Sequence, residues 1–274
     1  MNSLLAIINP VLDSMPESHL KPALRDAFVA QRRHFETIEA GFRALTARRQ
    51  DPEMLRTFFA SWAQTNNSAT TVAGIGNRMT LLVHKGADVA DERAMLGALA
   101  SLDRIIDEDL AVTGKVLHAQ LFYDMATGIV GDDDWLSQRY VHPTARAFKA
   151  WKDANSLREH DLTIALLTTI AHEIYTHGEV EFILPLFERW LGESYERTHA
   201  ETLRTLAWIG VHCGPTEKNH FFHALDALER YTTAMGVRAD LAAVETIVAS
   251  YLAQKAAVMQ AVALDQVGAL EVLR

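Results

Sequence analysis

Apolar residues recur three and four apart along nearly the whole chain, and no other feature constrains its fold as tightly. That spacing lays side chains along one stripe of a 3.6-residue helix. The alternating β-branched runs that mark strands are nearly absent, and proline and glycine fall between the periodic runs, where helix ends belong. The pattern predicts helices over 18–49, 52–84, 90–113, 115–129, 133–154, 158–192, 196–212, 215–235 and 237–262. The second carries a poor helix former at "NNSATTVAGIG" and is a candidate for a break. The aspartates of "GIVGDDDW" read as a loop that caps the next helix. In "GPTEKNH", Gly214 stops one helix and Pro215 enters the first turn of another.

No repeat recurs at 30–45 residues, which argues against a solenoid, and no linker-like stretch divides the chain. The fold class expected is all-α, with residues 1–274 as one helical domain and 1–17 as an N-terminal docking segment interrupted by Pro10. A net charge of −9 leaves no basic field for nucleic acid or anionic lipid, so a small-molecule partner is expected instead. Cys213 is the single cysteine, which excludes an intramolecular disulfide and an iron–sulfur cluster. No apolar run reads as long enough to span a bilayer, and no basic region precedes the N-terminal apolar patch as in a signal peptide. These features fit a cytoplasmic protein. The apolar breadth of 237–262 exceeds the need of one side of a terminal helix, and suggests a homodimer.

Acids and histidines then stand out on apolar faces. On helix 215–235, Glu217 and His220 share a face with Phe221, Ala224 and Leu228. Side chains at i and i+3 converge there on one point, as in the carboxylate bundles that bind two iron ions. His212 ends the preceding helix, and the Gly-Pro turn folds it back toward the same place, whereas His223 falls toward the polar edge. On helix 158–192, Glu173, His177 and Glu181 stand at i, i+4 and i+8 in an apolar stripe, where charges rarely lie unless paired or ligating. "HEIYTH" differs from the zinc-protease motif, since its second histidine falls at i+5 and on another face. In "IIDEDLAVTGKVLH", Asp109 falls on the Leu102 and Ile106 face, Glu108 sits nearer its edge, and His118 opens the next helix. A satisfied Glu–His hydrogen-bond network would contain the same pairs, so ligation and a buried polar network both stand at this point. Trp62, Trp135, Trp151, Trp190 and Trp208 are scattered at helical spacing and read as core.

Three further spacings carry a family likeness. Glu108 precedes His118 by ten residues, Glu181 precedes Pro185 by four, and His212 follows Glu181 by 31 and closes with Glu217 and His220. Over residues 95 to 230 this pattern resembles the heme-oxygenase-like di-iron oxidases and oxygenases. That superfamily includes the chlamydial death-domain-associated and quinone-cofactor synthase families. The resemblance implies one helical domain and a non-heme site for two iron(II) ions. It also implies O2 as co-substrate and oxidation of a small organic molecule. It assigns Glu108, His118, Glu181, His212, Glu217 and His220 as ligands, with Asp109, Glu173 and His177 as alternates or as groups that orient them. Two departures stand out. The last cluster has four residues, not three, between His212 and Glu217, and no acid lies between Glu53 and Asp88. The second leaves one metal short of a carboxylate, so one ion rather than two is also open. The same fold also hosts metal-free enzymes, and a non-catalytic interaction protein could tolerate such polar pairs.

Overall fold

A 34-residue helix, α9 (Leu162–Tyr195), runs through the middle of the molecule, buried on almost every face from Leu162 to Val180. Asp161 caps its start by accepting from the Thr163 N–H at 2.8 Å, and Glu196 ends it in the left-handed conformation (φ 54°). A helix apolar all round must be enclosed by others. The computed structural model, which describes residues 3–66, 68–86, 89–114 and 116–266, shows how. Around α9 lie α1 (Leu4–Asp13), α2 (Leu20–Ala30), α3 (Arg32–Leu45), α4 (Pro52–Asn66), α5 (Ala69–His84) and α6 (Glu92–Asp109). They are followed by α7 (His118–Val130), α8 (Pro143–Asp153), α10 (His199–Thr205), α11 (Ala207–His212), α12 (Pro215–Met235) and α13 (Leu241–Met259). No strand occurs among the described residues, and the architecture is the all-α bundle expected.

Helix α12 matches its expected range, because its boundaries are set locally. Gly214 turns with φ 75°, Pro215 occupies the first turn, and Gly236 closes the helix at φ 64°. Other ranges divide. Helix 18–49 breaks at Gln31 (φ −94°, ψ 20°) into α2 and α3, and 52–84 parts after Asn66 into α4 and α5. Helix 196–212 becomes α10 and α11, while 133–154 becomes two short turns followed by α8. Pro10, expected to interrupt the N-terminal segment, lies inside α1, which continues to Asp13. That helix packs on α9 where Gly178 faces Ile8, and a Cβ at Gly178 would come within 2.7 Å of Ile8 Cγ1. The close approach requires glycine there.

The C-terminal helix corrects a second expectation. Leu241–Leu264 is long and apolar enough, by length and composition, to cross a membrane, although no such run was expected. Here 56% of its apolar window is buried inside the protein, and α13 packs on α2, α3, α8 and α9. Part of the apolar breadth of this helix is thus covered within the chain. Lys255, buried on this helix, donates to Glu179 Oε2 at 3.0 Å, and Glu179 Oε1 accepts from Trp62 Nε1 at 2.5 Å. A charge in such a place requires a partner of this kind.

Candidate metal centre

Helix α6 ends on Asp109 and α7 begins on His118, and the two side chains meet. His118 Nδ1 lies 3.0 Å from Asp109 Oδ1. The third member arrives from the end of α11, where the His212 ring stands 4.4 Å from that of His118, centroid to centroid. His212 Nδ1 donates to the Trp208 carbonyl four residues earlier, at 2.6 Å. A carbonyl can only accept, so Nδ1 carries the hydrogen and Nε2 is bare in the neutral ring. Burial, with the charge of His118, pushes the His212 pKa down to about 4, and the ring is neutral near pH 7. For Asp109 burial favours protonation, but the His118 hydrogen bond and the surrounding imidazoles hold its carboxyl below the usual range.

A second group forms where α9, α12 and α6 meet. Glu173 and Glu217 face His220 Nδ1, with Glu173 Oε2 at 3.7 Å and Glu217 Oε1 at 3.6 Å. The other ring nitrogen, Nε2, lies 3.1 Å from Glu108 Oε2. Burial opposes a charge on His220, yet Glu108, Glu173 and Glu217 outweigh it and raise its pKa far above the ordinary value. Glu217 behaves in the opposite way. Burial above all, helped by the charges of Glu173 and Asp109, pushes its carboxyl up to about 8. Its Oε1 is also 3.6 Å from His212 Nε2, but with a protonated Glu217 and a neutral His212 this approach is not an ion pair at pH 7.

Potential ligand atoms of Asp109, His118 and His212 lie within 4.8 Å of one another, as do those of Glu173, Glu217 and His220. Glu217 joins the two groups through a single oxygen that faces both His212 and His220. Of the residues assigned from spacing, His118, His212, Glu217 and His220 come together, and Glu108 stands behind His220. Asp109 and Glu173, considered as alternates, are placed with them. Glu181 is not: its Oε1 accepts from the Gly214 N–H at 2.6 Å and fixes the turn before α12. His177, one turn from Glu173, is buried outside both groups, with Nδ1 lacking a hydrogen-bond partner.

Asp109, His118, His212 and Glu217 also line a cavity of about 530 Å³ enclosed by α4, α7, α9 and α11. Its aromatic walls come from Trp208 and Trp135, with Phe122 between them at ring distances of 5.0 and 6.0 Å. These tryptophans are buried in the core, as their helical spacing led one to expect, and they line the cavity as well. His172, set aside with the zinc-protease motif, reaches the cavity as well, with Nδ1 2.9 Å from the Tyr251 hydroxyl. Burial and the nearby Lys152 and Lys255 hold its pKa well below the ordinary histidine value. Its signal in the sequence was a histidine one turn before Thr176, which lines the same wall. Cys213 is unsuited as a nucleophile, since burial and the charges of Glu181, Glu217 and Glu188 push its thiol up to about 12.

No protein-family model matches the chain, and no curated protein sequence matches it. Among solved structures it is similar to a TenA homolog from Pseudomonas syringae pathovar tomato, with a TM-score of 0.66 and 14% identity. The alignment covers 91% of this chain and 93% of the other. The likeness is one of fold.

Proposed function

We propose that this chain is an iron- and O2-dependent oxidase or oxygenase acting on a small organic molecule, with two iron(II) ions held by the paired groups. The observation that carries the reading is the joint at Glu217, whose one oxygen faces both histidine-bearing clusters at the wall of an organic-sized cavity. The residues fit such ions. Two histidines with one carboxylate, and two carboxylates with one histidine, suit iron or manganese better than a thiolate zinc site. Glu173 Oε1 and His220 Nδ1 are buried with no hydrogen-bond partner, a state that a cation between them would relieve.

Asp109, His118 and His212 would hold one ion, Glu173 and His220 the other, with Glu217 facing both. Bound iron would supply one-electron chemistry toward O2. The protein's own part is orientation and proton placement. The Trp208 carbonyl fixes the His212 tautomer, so that its bare nitrogen faces Glu217. Glu108 holds Nε2 of His220 and leaves Nδ1 toward Glu173 and Glu217. Trp135, Trp208 and Phe122 give the adjoining space an apolar wall.

A second reading, a metal-free enzyme on the same fold, draws support from the Glu217 carboxyl at about 8, a value suited to general acid catalysis near neutral pH. Metal content of Asp109→Ala and Glu173→Ala separates the two. Loss of one iron in each, with O2 uptake reduced, supports the di-iron reading. Unchanged iron in both variants excludes it.

A further inference from the structure

We propose that the cavity takes a flat, ring-bearing substrate that carries no anionic group, and that it rejects carboxylates and phosphates. The inference rests on the enzymatic reading above, whose substrate it narrows. Its basis is what the walls offer a guest. Trp135, Trp208, Phe122 and Tyr123 present ring faces and edges on several sides. A planar molecule gains from such surfaces through burial and offset or edge-on ring contact. At the cavity rim Leu110, Leu117 and Leu136 are 38%, 40% and 51% exposed, so the approach is apolar as well.

Away from the acids and histidines, the polar groups of the lining are neutral, among them the side-chain amides of Gln64 and Gln138 and the hydroxyls of Ser68, Thr70 and Thr176. Among the described residues that line the cavity there is neither lysine nor arginine, whereas Asp109 and Glu217 contribute carboxyl groups. Iron would not reverse this balance. Asp109, Glu173, Glu217 and the adjoining Glu108 provide four carboxylates, which cancel the charge of two divalent ions. An anion entering the cavity would therefore lose its hydration and meet no lysine or arginine there, and no net positive charge where iron is bound. Binding energy is left to ring contact and to hydrogen bonds from amides and hydroxyls.

Three probes of one skeleton test this: 2-naphthylmethanol, 2-naphthylmethylamine and 2-naphthoate, titrated calorimetrically into the full chain, metal-free and iron-loaded under argon. The alcohol and the amine are expected to bind, and naphthoate at least about tenfold more weakly in both forms, as one unfavourable charge contact of about 1.4 kcal/mol implies. Naphthoate binding as tightly as the alcohol overturns the proposal, and so does failure of all three to bind. Gln138 lies at the exposed rim, so Gln138→Arg should fold normally and place a cation at the cavity. It should raise naphthoate affinity relative to the alcohol severalfold; an unchanged ratio of the two affinities overturns the location. Iron content, measured on the same samples, tells the two failures apart. Two irons with a preference for naphthoate refutes only the substrate class, whereas no iron with a preference for the alcohol refutes only the metal reading.

Discussion

Replacing Glu217 with glutamine keeps the shape of the side chain and removes its charge. In the unfolded chain a glutamate ionises near 4.5, whereas in the folded, metal-free protein burial holds Glu217 up to about 8. The unfolded state therefore loses its proton first. Folded stability declines as pH rises from about 4.5 to about 8 and stays at the lower level above that. At about 1.4 kcal/mol for each pH unit in that interval, the ceiling is about 5 kcal/mol. Ionisation shared with His220 reduces this, and about 2 kcal/mol is a conservative expectation. Glutamine has no such proton to lose. Urea unfolding of the metal-free wild type and Glu217→Gln at pH 5 and pH 8.5 reads the difference. The variant should gain at least about 2 kcal/mol on the wild type between the two pH values. With iron(II) present the order should reverse, because the metal stabilises the folded wild type by mass action and the variant has lost the joint between the clusters. Parallel pH profiles for the two proteins would refute the placement of Glu217 as a buried carboxyl held protonated.

The remaining predictions concern metal binding and the scaffold. Iron must displace protons from Glu217 and His220, so affinity should rise roughly tenfold per pH unit per displaced proton below pH 8. Calorimetry in buffers of different ionisation enthalpy counts the released protons, and zero release contradicts the assignment. Lys255→Met leaves Glu179 buried without its cation and should cost about 3–5 kcal/mol. Adding Glu179→Gln in the same chain should restore much of that, as judged by urea midpoints. Gly178→Ala sets a methyl against Ile8 and should lower stability by about 1–3 kcal/mol, while Ile8→Ala in the same chain should recover part of the loss.

Local signals explain what the sequence made legible. Helix α12 is bounded by Gly214-Pro215 and Gly236, and its i, i+3 pair of Glu217 and His220 is fixed by helical geometry alone. Helical phase likewise put Asp109 rather than Glu108 on the inward face, and Asp109 is the one beside His118. Spacing was a poorer guide on α9. There every face is buried, so Glu173 and Glu181 looked equally inward, and only tertiary packing separates them. Glu173 reaches His220, while Glu181 caps the Gly214 turn. The same ambiguity hid the cavity, since Trp135 and Trp208 have the periodicity of core residues and are buried as such, yet also line an opening beside α4, α7 and α11.

The most direct measurement is the metal content of the wild-type chain after anaerobic loading with iron(II) and removal of loosely bound metal, followed by mixing with O2 under optical observation. Two irons per chain, with a transient visible absorbance on mixing, are expected from two clusters joined at Glu217. A chain that retains no iron would contradict the metal centre and leave Glu108, Asp109, Glu173, Glu217 and their histidines as a buried hydrogen-bond network.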